Sequence, residues 1–148
     1  MSKICLIRQP AGIGDIFFTQ KIVNHFISQG YEVLWPVIEQ FEFIKDYIKI
    51  DGLTFVNENT NFPHKNIYYE GYSKPTQISE NLLYLPIQHF DRHHPNISVM
   101  HAKYEMLGMN YSDWLNYFSF ERNLEREEKL INHYNAQEKE FVLVNRTF

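Results

Sequence analysis

The chain has 148 residues, 44% hydrophobic and 16% aromatic, with a formal net charge of −4 and one cysteine. That suffices for one cored domain, excludes an intramolecular disulfide, and with Lys and Arg scattered along the chain argues against a nucleic-acid surface, which needs clustered positive charge. No run approaches the roughly 20 apolar residues of a membrane span, and no apolar signal stretch precedes the first strand, so a cytoplasmic protein is expected, with peripheral membrane contact left open.

The apolar run Ile4-Cys5-Leu6-Ile7 predicts a buried strand over residues 3–7. Residues 15–29 predict a helix, because Ile16, Phe17, Ile22, Val23, Phe26 and Ile27 recur at steps of three, four and seven. Gly30 is placed to end it. Residues 31–35 predict a second strand, with Pro36 as its stop. The unit is a β-α-β with short connections, hence parallel strands and a right-handed crossover. A second helix is expected over 39–47 and a third strand over 53–56. Residues 57–65 read as loop. Residues 66–70 and 82–85 are further strand candidates, and 71–81, with Pro75, reads as a loop carrying contacts. Residues 86–96 are irregular. A helix capped by Ser98 is expected over 98–109, an aromatic-rich stretch over 111–118, and a charged, exposed helix over 121–135. Residues 141–144, Phe-Val-Leu-Val, read as a last strand. No repeat or low-complexity segment appears. The fold class is α/β, a Rossmann-like three-layer domain with a mostly parallel sheet.

Two glycines, Gly12 and Gly14, fall where the first strand turns into the first helix. Missing side chains there permit a tight turn and close ligand approach. Asp15 follows at the carboxyl end of the strand, where open α/β sheets place ligands. Its position suits either chemistry or helix capping, since Asp is a strong N-cap. The turn is not a dinucleotide fingerprint, because Phe17 stands where the third glycine of G-x-G-x-x-G belongs. No nicotinamide or flavin, and no other cofactor, is expected.

Arg8, Gly14-Asp15 and Thr19 together resemble the opening of the heptosyltransferase-like glycosyltransferases, in which a first strand runs into G-D-x-x-x-T and a helix. The match covers residues 4–37, about a quarter of the chain; Gln20-Lys21 stand where a proline often follows the threonine. The resemblance implies a GT-B architecture, with this chain as its N-terminal, acceptor-side half. It implies that Asp15 is the general base toward an acceptor sugar hydroxyl, and that Thr19 supports it. The expected substrate contacts are Arg8, Gly12, Gly14, Thr19 and Arg92. The partners would be a carbohydrate acceptor and a nucleotide-sugar donor, the donor bound by a second domain. Residues 1–138 would form the acceptor-binding domain, and 139–148 the start of a linker or second domain. On that reading residues 1–148 alone do not catalyse transfer. The alternative function is a non-catalytic Rossmann-like module that holds a nucleotide or a protein at the same turn.

Other groups admit two readings each. Arg8 sits at the end of the first strand, as an anion contact, as a modulator of Asp15 or as a structural ion pair. Arg92 could meet an anionic group with its planar fork. His89, Asp91, His93 and His94 lie within six residues, but their spacing lacks a helical ligand pair, so no metal site is assigned. Tyr68-Tyr69 and the Tyr104, Tyr111, Trp114 and Tyr117 group could stack on sugar rings or fill the core. Cys5, inside a strand, reads as a structural thiol.

Overall fold

The computed structural model describes residues 2–89, 97–135 and 137. Five strands form one sheet: β1 (Lys3–Ile7), β2 (Tyr31–Val37), β3 (Leu53–Asn57), β4 (Thr76–Ser79) and β5 (Leu82–Leu85), in the order β3-β2-β1-β5-β4. β1 pairs in parallel with β2, Lys3 opposite Tyr31, and with β5, Ile4 opposite Leu82. β3 is parallel to β2, and only the edge strand β4 runs antiparallel. The strand-helix-strand reading of the first 37 residues therefore holds, and the domain is a Rossmann-like α/β fold.

The sheet is covered on both faces, which is why β1 is apolar from Ile4 to Ile7. On one face Cys5 and Ile7 join Val33, Trp35 and Val37 beneath Ile22, Val23 and Phe26. Those last three belong to helix α2 (Gln20–Ser28). Full burial of a side chain of this size contributes about 1.5–3 kcal/mol, so this layer anchors the fold. On the other face Leu6 packs with Phe62, Tyr68, Leu82 and Tyr84.

The first helix is not continuous. It divides into α1 (Ile13–Phe18) and α2 at Thr19. The Thr19 hydroxyl donates to the Asp15 carbonyl at 2.7 Å, and its backbone N–H donates to the same oxygen at 3.1 Å. Such back-bonding by a helical threonine bends the axis.

Pro36 does not end β2. Val33 donates to Gly52 on the β3 side, so strand alternation turns the position of Pro36's missing N–H toward β1. The β1 ladder has already ended at Leu34, and nothing is lost.

Residues 66–70 are not a strand. Helix α3 (Lys65–Tyr69) forms there after His64, which takes a left-handed conformation. The short apolar run Ile67-Tyr68-Tyr69 has no period that separates strand from helix. The parallel placement of β5 requires a crossover from β3, and α3 lies in it. Conversely, part of the expected 71–81 loop is β4. It forms a hairpin with β5 through Glu80-Asn81, and its one aliphatic residue, Ile78, leaves little sequence signal.

The expected second helix is a 3-10 helix, Glu39–Asp46. The Ser98 cap is present: its hydroxyl accepts from the His101 N–H at 3.2 Å and starts α4 (Val99–Glu105). Short 3-10 turns also form at Ile87–His89 and, in the aromatic stretch, at Trp114–Tyr117. Helix α5 (Leu124–Tyr134) is capped by Asn123 and has no buried residue. Among the described residues no helix is long and apolar enough to cross a membrane. The expected strand at 141–144, and with it the second-domain start at 139–148, lies outside the described residues.

Candidate functional site

Helices α1 and α2 follow β1 on one face of the sheet, and α3 precedes β5 on the other. The boundary between β1 and β5 is therefore the switch point, outside whose carboxyl ends ligands bind in open α/β sheets. Two segments leave the sheet there. The turn after β1 carries Arg8 to Asp15, and the segment after β5 carries Pro86 to His89. They are tied together, with Arg8 N–H donating to Leu85 O and Gln88 N–H to Arg8 O.

The turn is held rigidly. Trp35 Nε1 donates to Gln9 O at 2.9 Å, and Ile38 N–H to Pro10 O at 3.0 Å. Gly12 has φ +86°, and a Cβ there would lie 2.2 Å from Asp15 Oδ2. This glycine is needed twice, for its backbone conformation and because the Asp15 carboxylate folds back over its α-carbon. Gly14 differs. It lies inside α1, is exposed, and a Cβ on it would meet no atom within 4 Å. Packing does not require a glycine here, so its bare surface faces open space.

Asp15 is the third residue of α1, not its cap. The N-cap is Gly12, and no side chain bonds the helix start. The capping alternative is thereby removed. The carboxylate keeps 27% of its surface accessible and faces the buried ammonium of Lys103, 3.6 Å from Oδ1. Lys103 Nζ also donates to Gln9 Oε1 at 2.5 Å and to Ile87 O at 3.2 Å. One lysine on α4 thus joins the segments after β1 and β5. A buried charge is tolerable when it is paired and hydrogen-bonded in this way.

Sequence reasoning missed Lys103 and Gln9. The signals were present. Gln9 continues the Cys5, Ile7 alternation onto a buried face. Lys103 has Val99, Met100, Met106 and Leu107 at its three- and four-residue neighbours, which places a cation on an apolar helix stripe.

The cation beside Asp15 is therefore Lys103, and Arg8 lies on the opposite face. Its guanidinium sits over the Tyr68 ring, 5.2 Å from the centroid, and 5.9 Å from that of Tyr69. It also lies against Tyr84, whose phenol pKa burial raises and Arg8 pulls back. Tyr68 donates to Glu58 Oε2 at 3.2 Å; burial and that carboxylate raise its pKa strongly.

Thr19 is fully buried and bonded to its own helix. It supports the carbonyl of Asp15 and reaches no ligand surface. Tyr104 is buried and its hydroxyl donates to Phe18 O at 2.5 Å, Tyr111 and Trp114 pack against the core, and Tyr117 is exposed. Burial raises the pKa of Cys5 far above that of a free thiol, in keeping with a structural role. Arg92, Asp91, His93 and His94 lie outside the described residues. Within them no cluster of three metal-ligating side chains occurs. A cavity of ≈590 Å³ lies away from the turn, between Tyr47, Phe120 and α5 residues including Arg126, Leu130 and His133.

The geometry defines an α/β domain with a Rossmann-like, mostly parallel sheet and a charged turn at its switch point. No family model, curated protein or solved structure matches the chain.

Proposed function

We propose that the chain is the acceptor-side domain of a glycosyltransferase of the heptosyltransferase-like type, with Asp15 as the base. The observation that carries this reading is the Asp15 carboxylate itself. It is part-exposed at the carboxyl edge of the sheet, engaged in no capping bond, and oriented by Gly12 and Lys103. In the reaction an acceptor hydroxyl oxygen attacks the anomeric carbon of a nucleotide sugar. The new C–O bond forms as the bond to the diphosphate breaks. The hydroxyl proton passes to Asp15, and the nucleoside diphosphate leaves. The donor is held by a second domain of the GT-B pair, and Gly14 leaves room for the acceptor beside the base.

The test is turnover of nucleotide sugars with a carbohydrate acceptor, followed by nucleoside diphosphate release, with the donor domain supplied. Asp15→Asn is expected to lower the rate by about 10²–10⁴-fold, the usual contribution of a general base, and also to lower the unfolding midpoint, because it removes the counter-ion of the buried Lys103. Wild-type turnover in Asp15→Asn rejects the base. One observation favours the non-catalytic binding module: the ion pair with Lys103 is also what a purely structural carboxylate makes. That reading expects Asp15→Asn to change stability and no rate.

A further inference from the structure

Most cations of the described residues have a defined partner. Lys21 meets Asp113, Lys45 meets Glu42, Lys103 meets Asp15, Arg122 meets Glu127 and Lys129 meets Glu125. Arg126 donates to the Tyr47 hydroxyl. Arg8 is different. It is partly buried, no carboxylate of the described residues lies within 4.0 Å of it, and its Nε is buried with no hydrogen-bond partner. The acid next to this cluster, Glu58, accepts the Tyr68 hydroxyl instead.

The surroundings look built for a ligand. The Arg8 guanidinium carbon lies 5.2 Å from the Tyr68 ring centroid and 5.9 Å from that of Tyr69, and the Tyr84 hydroxyl takes only one of the five N–H donors of a guanidinium. The Tyr84 hydroxyl gives its proton to Tyr68 O at 3.3 Å. Tyr69 is 51% exposed, so the cluster opens to solvent. Strand alternation sets Arg8 on the face of Leu6, while Asp15 meets α4 on the other.

We propose that Arg8, beside the exposed Tyr69, forms a binding site for an oxyanion, a phosphate or carboxylate group, at the carboxyl end of β1. A planar guanidinium matches both groups with paired N–H bonds. The site itself does not depend on the glycosyltransferase reading. That the oxyanion belongs to the acceptor does, and makes the acceptor an acidic or phosphorylated carbohydrate.

The experiment is an NMR titration of the ¹⁵N-labelled 148-residue chain with sodium phosphate, against sodium chloride at matched ionic strength. The Arg8 Nε–H resonance and the Tyr69 and Tyr84 signals are expected to shift saturably with phosphate and not with chloride. Arg8→Met should weaken binding by about tenfold or more, and Arg8→Lys by less, since it keeps the charge and loses the fork. Arg126→Met should leave it unchanged. If Arg8→Met does not fold, the wild-type shift map decides by its location. Acetate in a parallel titration separates carboxylate from phosphate. Saturation by either supports the site. A linear response to both, shifts centred on α5, or wild-type affinity in a folded Arg8→Met overturns it. A chain that binds phosphate at Arg8 yet transfers no sugar once supplied with its donor domain breaks the reading of Asp15 alone.

Discussion

Around Asp15 and along α5 the molecule uses charge in two ways. Lys103 is 1% exposed and reaches three oxygen acceptors on two segments that leave the sheet. The pairs at α5, Lys129 with Glu125 and Arg122 with Glu127, lie largely in water. One cavity lies at α5, and the buried charge is at the turn. Exposed ion pairs contribute little. A buried cation must be matched by its neighbours, so its position is determined by the fold around it. The buried pair is therefore the guide to the site.

The sharpest way to break this comparison is Lys103→Met. It leaves Gln9 Oε1 and Ile87 O without that donor and Asp15 without its cation. A loss of about 3 kcal/mol is expected, read as a lower urea midpoint. A loss below about 1 kcal/mol would make Lys103 as dispensable as an α5 lysine.

Gly12→Ala comes next. A side chain at φ +86° is strained, and its Cβ displaces the Asp15 carboxylate. A cost of about 2 kcal/mol is expected, together with altered chemical shifts at Asp15 and Lys103. Unchanged shifts would mean that the carboxylate does not lie over Gly12.

Gly14→Ala has a smaller effect of opposite sign. The site is helical and open, so alanine should stabilise the chain by about 0.5–1 kcal/mol. If Gly14 is bare for a ligand, transfer falls while the unfolding midpoint rises. A rise in both would make this glycine incidental.

The smallest effect is a pH response confined to α5. Arg122 holds the Glu127 carboxyl below its ordinary value of 4.5. A depressed carboxylate stabilises the fold above its unfolded pKa, and that contribution disappears as pH falls through the folded value. Amide protection factors over residues 124–134 should fall on acidification below about pH 4.5, before those in α2 change. Simultaneous loss in both would show that α5 is not an independent, lightly held helix.

Much of the scaffold was legible in the residues. β1, β2, β5, the Gly30 helix end and the Ser98 cap each follow from local apolar periodicity or capping chemistry, which act over a few neighbouring residues. The division at Thr19 was not legible, because a threonine bends a helix only when its hydroxyl turns back on the backbone. α3 and β4 were exchanged for strand and loop, because Ile67-Tyr68-Tyr69 and Thr76-Gln77-Ile78-Ser79 are too short to carry a period.

The site divides the same way. Gly12, Gly14 and Asp15 are neighbours in the chain, so their common turn is a property of the sequence itself, as is the apolar β1 that carries it. Lys103 stands 88 residues from Asp15, and Tyr68 stands 60 from Arg8. Which cation meets Asp15, and which has no carboxylate beside it among the described residues, depends on which face of β1 each side chain leaves and on which helix covers that face. Only the packing of α4 over one side of the sheet and α3 over the other decided it, because burial and pairing of charge are set by tertiary neighbours and not by neighbours along the chain.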